Sequence, residues 1–350
     1  MNVGIFLPNW VGDLVMATPT LRALRRHLAE ARIVGVGRPH LADVLAGTQW
    51  LDTYLPFDPR GDDRRLRGRK FVTQLRAERL DVALLLTNSL RTGWLAWLSG
   101  ARRRVGFVRF GRGMMLTDKL HHRRSGRRYV PSPVLDDYLR VAYAVGCPPE
   151  PPTLELSTLP ADEAAADEVW RECGMDRDQQ PVVFNCGGAF GAAKLWPKEY
   201  FAELAYRLAG HHGVDVLVLC GPAERSAAKE IAHLAAHPRV HSLADMRLSL
   251  GLSKACVRRC RLLVTTDSGP RHFAAAFGVP VVTLFGPTHI AWSETHYPRA
   301  VHLQHTVPCG PCQQRTCPLG HQECMRDLSV NRVYEEVVKM LDVGSESFAA

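Results

Sequence analysis

At 350 residues and 46% hydrophobic, the chain is too long for one comfortable core and suits two α/β domains of ordinary size. A formal charge of +9 calls for an anionic partner, whether nucleic acid, phosphorylated glycolipid, nucleotide diphosphate or acidic membrane surface. The opening MNVGIFLPNW lacks the basic head and cleavage site of a secretory signal, and no apolar run approaches the roughly 18 residues of a membrane-spanning helix. A cytoplasmic chain that at most touches a membrane is expected.

In chain order, the apolar run Val3 to Leu7 predicts a strand, and the period of Leu21, Leu24 and Leu28 predicts one helix from about Leu14 to Leu28. A strand at Ile33 to Val36, a helix near His40 to Ala46 and a buried strand at Asp81 to Leu86 continue the alternation of a parallel sheet wrapped by helices. Arg60 to Lys70 and Arg102 to Arg128 are basic and turn-rich, and read as exposed. After a helix near Asp136 to Val145, the prolines between 148 and 160 mark a linker.

The second half restarts the alternation, with strands at 181 to 186, 214 to 220, 262 to 265 and 281 to 285 and helices between them. The expected organisation is therefore a first domain over 1–150, a linker over 151–160, a second domain over 161–328, and a C-terminal helix and tail over 329–350. The final helix, Val330 to Leu341, has no strand after it and is free to pack back across the linker. No internal sequence repeat is visible.

In open parallel sheets ligands bind beyond the carboxyl ends of the strands, so the loops there are the candidates for chemistry. Asn9-Trp-Val-Gly-Asp13 follows the first strand, and Asp13 reads either as a helix cap or as a general base for a hydroxyl. Thr265-Thr-Asp-Ser-Gly-Pro-Arg-His272 opens a helix with hydroxyls, a glycine and backbone N–H groups, which suits either a diphosphate or an ordinary turn and cap. Gly187 to Pro197 is a glycine-rich loop carrying Lys194, which either meets a phosphate or is simply solvated; it lacks the Gly-Lys-Ser/Thr ending of a Walker A loop. No G-x-G-x-x-G opens either half, which argues against a nicotinamide-dependent enzyme.

Taken together, Pro8-Asn-Trp-Val-Gly-Asp13, Thr87-Asn-Ser-Leu-Arg91, Gly188 to Pro197, Gly221-Pro-Ala-Glu224, Thr266 to His272 and Phe285-Gly-Pro-Thr288 resemble the ADP-heptose lipopolysaccharide heptosyltransferase family, nearest its heptosyltransferase II branch. The resemblance covers nearly the whole chain. It implies an α/β fold of two Rossmann-like domains in a GT-B arrangement with an interdomain cleft, and an inverting transfer of heptose to the lipopolysaccharide inner core. By the same resemblance Asp13 is the catalytic base, and Lys194 serves both catalysis and the donor phosphates. Glu224, Leu243, Met246, Thr266, Asp267, Ser268, Gly269 and His272 contact the ADP-heptose donor. Asn9, Trp10, Gly12, Asn88 and Arg91 face the acceptor, a lipid-linked core oligosaccharide met at the cytoplasmic membrane face. No cofactor is required by this scheme.

Ten cysteines in a chain of this length do not make a disulfide scaffold. Six are scattered through predicted elements and read as reduced, mostly buried thiols. The other four, Cys309, Cys312, Cys317 and Cys324, have spacing open to a structural zinc or an iron–sulfur cluster, or to plain loop thiols. Two other readings stay open: a GT-B enzyme using another nucleotide sugar, and a nucleic-acid-binding protein. The latter is not expected, because the basic stretches have few interleaved aromatics and no nucleic-acid module.

Overall fold

A computed structural model describes residues 1–126 and 128–346. Arg127 of the basic stretch and residues 347–350 of the predicted tail lie outside them. The chain divides into two compact units, Met1–Ser157 with Ala291–His296, and Thr158–Ile290 with the chain from Tyr297 onward. The excursion of Ala291–His296 to the first unit falls inside the span predicted as one continuous second domain.

The first unit holds strands β1 (Asn2–Phe6), β2 (Arg32–Gly37), β3 (Thr53–Pro56), β4 (Val82–Leu85), β5 (Arg103–Phe107) and β6 (Asp118–Leu120) in the order β3-β2-β1-β4-β5-β6. All five pairings are parallel. The order reverses between β1 and β4, so the loops after these two strands flank the switch point where doubly wound sheets bind ligands. Strand β1 is apolar and buried on both faces because helices cover both sides.

The first long helix is two: α1 (Val11–Met16) and α2 (Thr18–His27), joined at Ala17. The apolar stripe runs through the break, which is why periodicity predicts one helix. Pro19 has no N–H to give the Val15 carbonyl, and the Thr18 hydroxyl takes that acceptor instead at 2.8 Å. Helices α3 (Gly68–Ala77) and α4 (Leu90–Leu98), which the sequence pattern does not announce, come ahead of α5 (Val134–Tyr143). Arg60, Arg64, Arg65, Arg69 and Lys70 are exposed as expected, but Arg102 to Arg128 is not simply an exposed stretch: it contains β5 and β6, and Arg112 is fully buried.

The second unit repeats the plan. Strands β7 (Val182–Asn185), β8 (Val216–Leu219), β9 (Val240–Ser242), β10 (Leu262–Thr266), β11 (Val281–Phe285) and β12 (Ala300–Gln304) form a parallel sheet in the order β9-β8-β7-β10-β11-β12. Helices α6 (Pro160–Glu172), α7 (Lys198–His212), α8 (Arg225–Ala235), α9 (Leu250–Arg259), α10 (Gly269–Phe277) and α11 (Val330–Glu346) accompany it. Helix α11 belongs to the second unit. It lies along α7 in its own unit, where Arg207 donates to Asn331 at 2.6 Å and the Tyr334 hydroxyl meets His212 at 2.8 Å. Five of the six scattered cysteines are buried and none is in a disulfide.

Candidate active site

In the first unit the loop after β1 leaves Asn9 and Trp10 exposed, with Gly12 and Asp13 half-buried. Asp13 is the third residue of α1, and the cap position belongs to Trp10, which makes no side-chain cap bond. Asp13 is thus not the N-cap residue itself, and its charge favours the first turn of the helix. Against it stands the buried Tyr138 of α5. Burial, then the charges of Asp13 and Asp137 and a hydrogen bond with Asp13, push the Tyr138 hydroxyl well above its usual ionisation range. A neutral O–H thus faces the carboxylate and orients it.

The loop after β4 is fixed by a buried cation. Arg112 donates to the main-chain oxygens of Thr87 and Phe107, the latter at 2.8 Å, and to Asn88 Oδ1 at 3.0 Å. Burial pulls its ionisation down to about 10, which leaves it charged at neutral pH. Ser89 caps α4 by accepting from the Thr92 N–H, so Asn88 and the exposed Arg91 present from a rigid turn.

In the second unit three loops meet at the carboxyl edge of the sheet. Asn185, the last residue of β7, donates to Gly187 O at 3.2 Å, Thr265 Oγ1 at 3.0 Å and Ser268 Oγ at 2.8 Å. Thr266 donates to Gly187 O at 2.7 Å, tying the glycine-rich loop to the segment that opens α10. Glu224 lies over the same loop: a Cβ on Gly187 would come within 2.7 Å of Glu224 Cγ, and one on Gly221 within 2.5 Å of Glu224 Oε2. In both places the glycine leaves room for the same acidic side chain, which would have to shift to admit a Cβ.

Lys194 is not a solvated surface lysine. It is 8% exposed, and its ammonium donates to Asp267 Oδ2 at 2.6 Å and to the Asp267 main-chain oxygen at 3.0 Å. The Asp267 carboxylate also accepts from Thr288 at 2.7 Å and from Arg271 at 3.2 Å. Burial opposes its ionisation, but Lys194 and Arg271 outweigh that and hold the carboxyl far below the usual range. His272, one turn into α10, is driven well below its ordinary value by burial and then by the Arg271 charge, so it is a neutral imidazole. Ser268 precedes α10 in extended conformation and Gly269 begins it, with Pro270 at the second position. The arrangement sets a fixed cation, hydroxyls and a helix start around one point, which suits an anion.

The model of glycosyltransferase family 9 (heptosyltransferase) matches residues 68–323, well over half the chain. The chain is a family 9 glycosyltransferase. It is 24% identical over 357 residues to the lipooligosaccharide heptosyltransferase 2 of Campylobacter jejuni, covering 97% of this chain and 99% of the relative. It is 25% identical to the lipopolysaccharide heptosyltransferase 2 of Escherichia coli, again over 97% and 99%. The solved E. coli ADP-heptose lps heptosyltransferase II superposes with a TM-score of 0.77 at 23% identity, covering 97% of this chain and 98% of that one. The fold is accordingly GT-B, two Rossmann-like units in one chain.

Within this family 9 transferase the structure gathers Lys194, Thr266, Asp267, Ser268, Gly269 and Glu224 at one edge of the second sheet. The Leu243 side chain has no exposed surface. Met246 is half-buried, and the turn between them is held by Arg225, which donates to the main-chain oxygens of Ala244 and, at 3.0 Å, Met246. Sequence reading passed over Tyr138, Arg112, Asn185 and Arg225, and gave Thr288, though part of a motif, no role. Asn185 had a signal, a polar residue closing an apolar strand. Tyr138 had none, being far from Asp13 in the chain.

The cysteine segment reaches this transferase's glycine-rich loop. Ala193 donates its N–H to Arg315 O at 3.0 Å, and Gly191, at φ +154°, leaves room for that oxygen where a Cβ would lie 2.4 Å away. Cys309 Sγ is 3.9 Å from His321 Nε2. Among the described residues no group of three or more His, Cys, Asp or Glu is arranged to hold a metal ion.

Proposed function

We propose that the chain transfers heptose from ADP-L-glycero-D-manno-heptose to the inner core of lipopolysaccharide, with inversion at the anomeric carbon. The relatives' names support the sugar and the acceptor, and the likeness to the solved E. coli ADP-heptose lps heptosyltransferase II supports the ADP donor. The observation that carries the chemistry is the buried Lys194–Asp267 pair beside the start of α10. Asp267 takes two of the ammonium's N–H bonds and the Phe190 ring lies 4.5 Å from the nitrogen, and in this reading a diphosphate oxygen is its further partner.

In this reading the first unit receives the acceptor at Asn9, Trp10, Gly12, Asn88 and Arg91, and the second receives the donor. Asp13 takes the proton of the acceptor hydroxyl as its oxygen forms the new bond to the anomeric carbon. The bond from that carbon to the diphosphate breaks on the opposite face, and ADP leaves with the electron pair. Lys194 and the N–H groups at Ser268 and Gly269 stabilise the charge that grows on the leaving oxygen, so no cofactor is called for. Glu224 meets the ribose, Met246 and the Leu243 turn meet the adenine, and Thr266 and His272 border the diphosphate and sugar.

No helix among the described residues is long and apolar enough to cross a membrane. We place the enzyme in the cytoplasm, in peripheral contact with the inner membrane that carries its acceptor. Incubation with ADP-heptose and a truncated core glycolipid, read by mass spectrometry, tests the proposal. One added heptose with the native chain and none with Asp13→Asn is the expected result, and full turnover by that variant would overturn it.

A further inference from the structure

Helix α4 turns apolar side chains outward. Leu95 and Ala96 of its inner face belong to the first unit's core, as the helical repeat requires. The outer stripe at i, i+4 and i+7 is Leu90, Trp94 and Trp97, each 50% exposed, with the two indole rings 5.2 Å apart. The segment after β5 packs on the same helix, since a Cβ on Gly93 would lie 3.0 Å from Arg112 Cβ and 3.2 Å from Met115 Sδ. That segment exposes Phe110 by 67% and Met114 by 89%. Large apolar side chains grouped in this way on a surface mark a binding face.

The charge around them is one-sided. Residues 87–130 contain eleven Lys and Arg and one acid, Asp118, which is itself paired with Arg103 at 2.9 Å. Arg91, Arg102, Lys119, Arg123 and Arg124 are exposed. Indoles beside cations suit the headgroup layer of a bilayer, where the rings sit at the interface and the cations meet lipid phosphates. Leu90 and Met114 have no aromatic face for a nucleic-acid base to stack on, but they bury readily among acyl chains.

We infer that α4 and the Phe110–Met115 segment form the surface by which the chain docks on an anionic lipid membrane. The inference deepens, and rests on, the reading of a lipid-anchored acceptor. Helix α4 follows β4 and the segment follows β5, on the same carboxyl edge of the first sheet as Asp13 after β1. A sugar borne by a lipid in that membrane approaches the base from its own side.

Co-sedimentation of the full chain with vesicles of phosphatidylethanolamine and phosphatidylglycerol, against phosphatidylcholine alone, tests it without turnover. Binding to the anionic vesicles, a blue shift of tryptophan emission and weakening by salt are expected. Trp94→Ser/Trp97→Ser should bind at least tenfold more weakly, with transfer to a water-soluble, deacylated acceptor unchanged. Met114→Ser, at a site too exposed to affect folding, should weaken binding severalfold. The inference is overturned if the native chain stays in the supernatant, if both variants bind like it, or if light scattering shows a dimer that shields the indoles. Vesicle binding without any heptose transfer would end the catalytic proposal and leave this one standing.

Discussion

The Lys194 ammonium and the Asp267 carboxylate meet at 2.6 Å with each side chain 9% exposed, and this pair joins the glycine-rich loop to the start of α10. Removing one partner strands the other in a desolvated place. Asp267→Asn or Lys194→Met should each cost about 3–5 kcal/mol in denaturant unfolding, and the double variant clearly less than the sum. Strict additivity would show that the two side chains do not interact.

Two pH windows follow from the buried groups near this pair. His272 is neutral when folded and has its pKa lowered, so it favours the folded state above the unfolded value of about 6.5 and opposes it as pH falls below that. Asp267 also has a lowered pKa, so its contribution is present above the unfolded value of about 4 and is lost as pH falls through the folded one. Stability of the native chain should decline first below about pH 6.5 and again, more steeply, below about pH 4. His272→Gln should remove the first decline alone.

Tyr138→Phe keeps the buried ring and deletes the hydroxyl that faces Asp13. One lost hydrogen bond of about 1 kcal/mol predicts roughly a fivefold fall in kcat with KM for the donor unchanged. An unaltered kcat would remove Tyr138 from the positioning of the base.

The four C-terminal cysteines should differ in reactivity. The Gln322 N–H above all, with those of Leu319, Gly320 and His321, lowers the Cys317 thiol, whereas burial raises Cys324. Iodoacetamide at pH 7.5 should label Cys317 before Cys324, and buried Cys256 and Cys260 only after unfolding. Uniform protection of all four C-terminal thiols in the folded chain would instead reveal a shared metal.

ADP should raise the melting temperature more than UDP or GDP, since a ligand at a hundredfold its Kd adds about 2.7 kcal/mol. Gly187→Ala, which collides with Glu224, should reduce the ADP shift without lowering the melting temperature of the free chain by more than a few degrees. Equal shifts by all three nucleotides would reject the assignment of an ADP donor.

Strands such as β7, β10 and β11 were legible because a parallel strand covered on both faces must be apolar along its whole length. Edge strands β3, β6 and β12 were not, because half-covered strands carry the mixed pattern of a loop. The same limit hid the repeat: the two sheets share one strand order, while the sequences of the halves share no visible period.

The glycines, hydroxyls and lone charges of the strand-end loops were readable in order along the chain, because tight turns and helix starts demand particular residue types locally. Tertiary structure alone decided which of them meet. Lys194 and Asp267 lie 73 residues apart, and Arg112 and Thr87 25, so contacts that set protonation and orientation arise only when parallel strands bring their carboxyl ends together. Residue type is a local requirement of backbone and solvent, whereas partnership depends on sheet order, which pairs strands without regard to their distance in sequence.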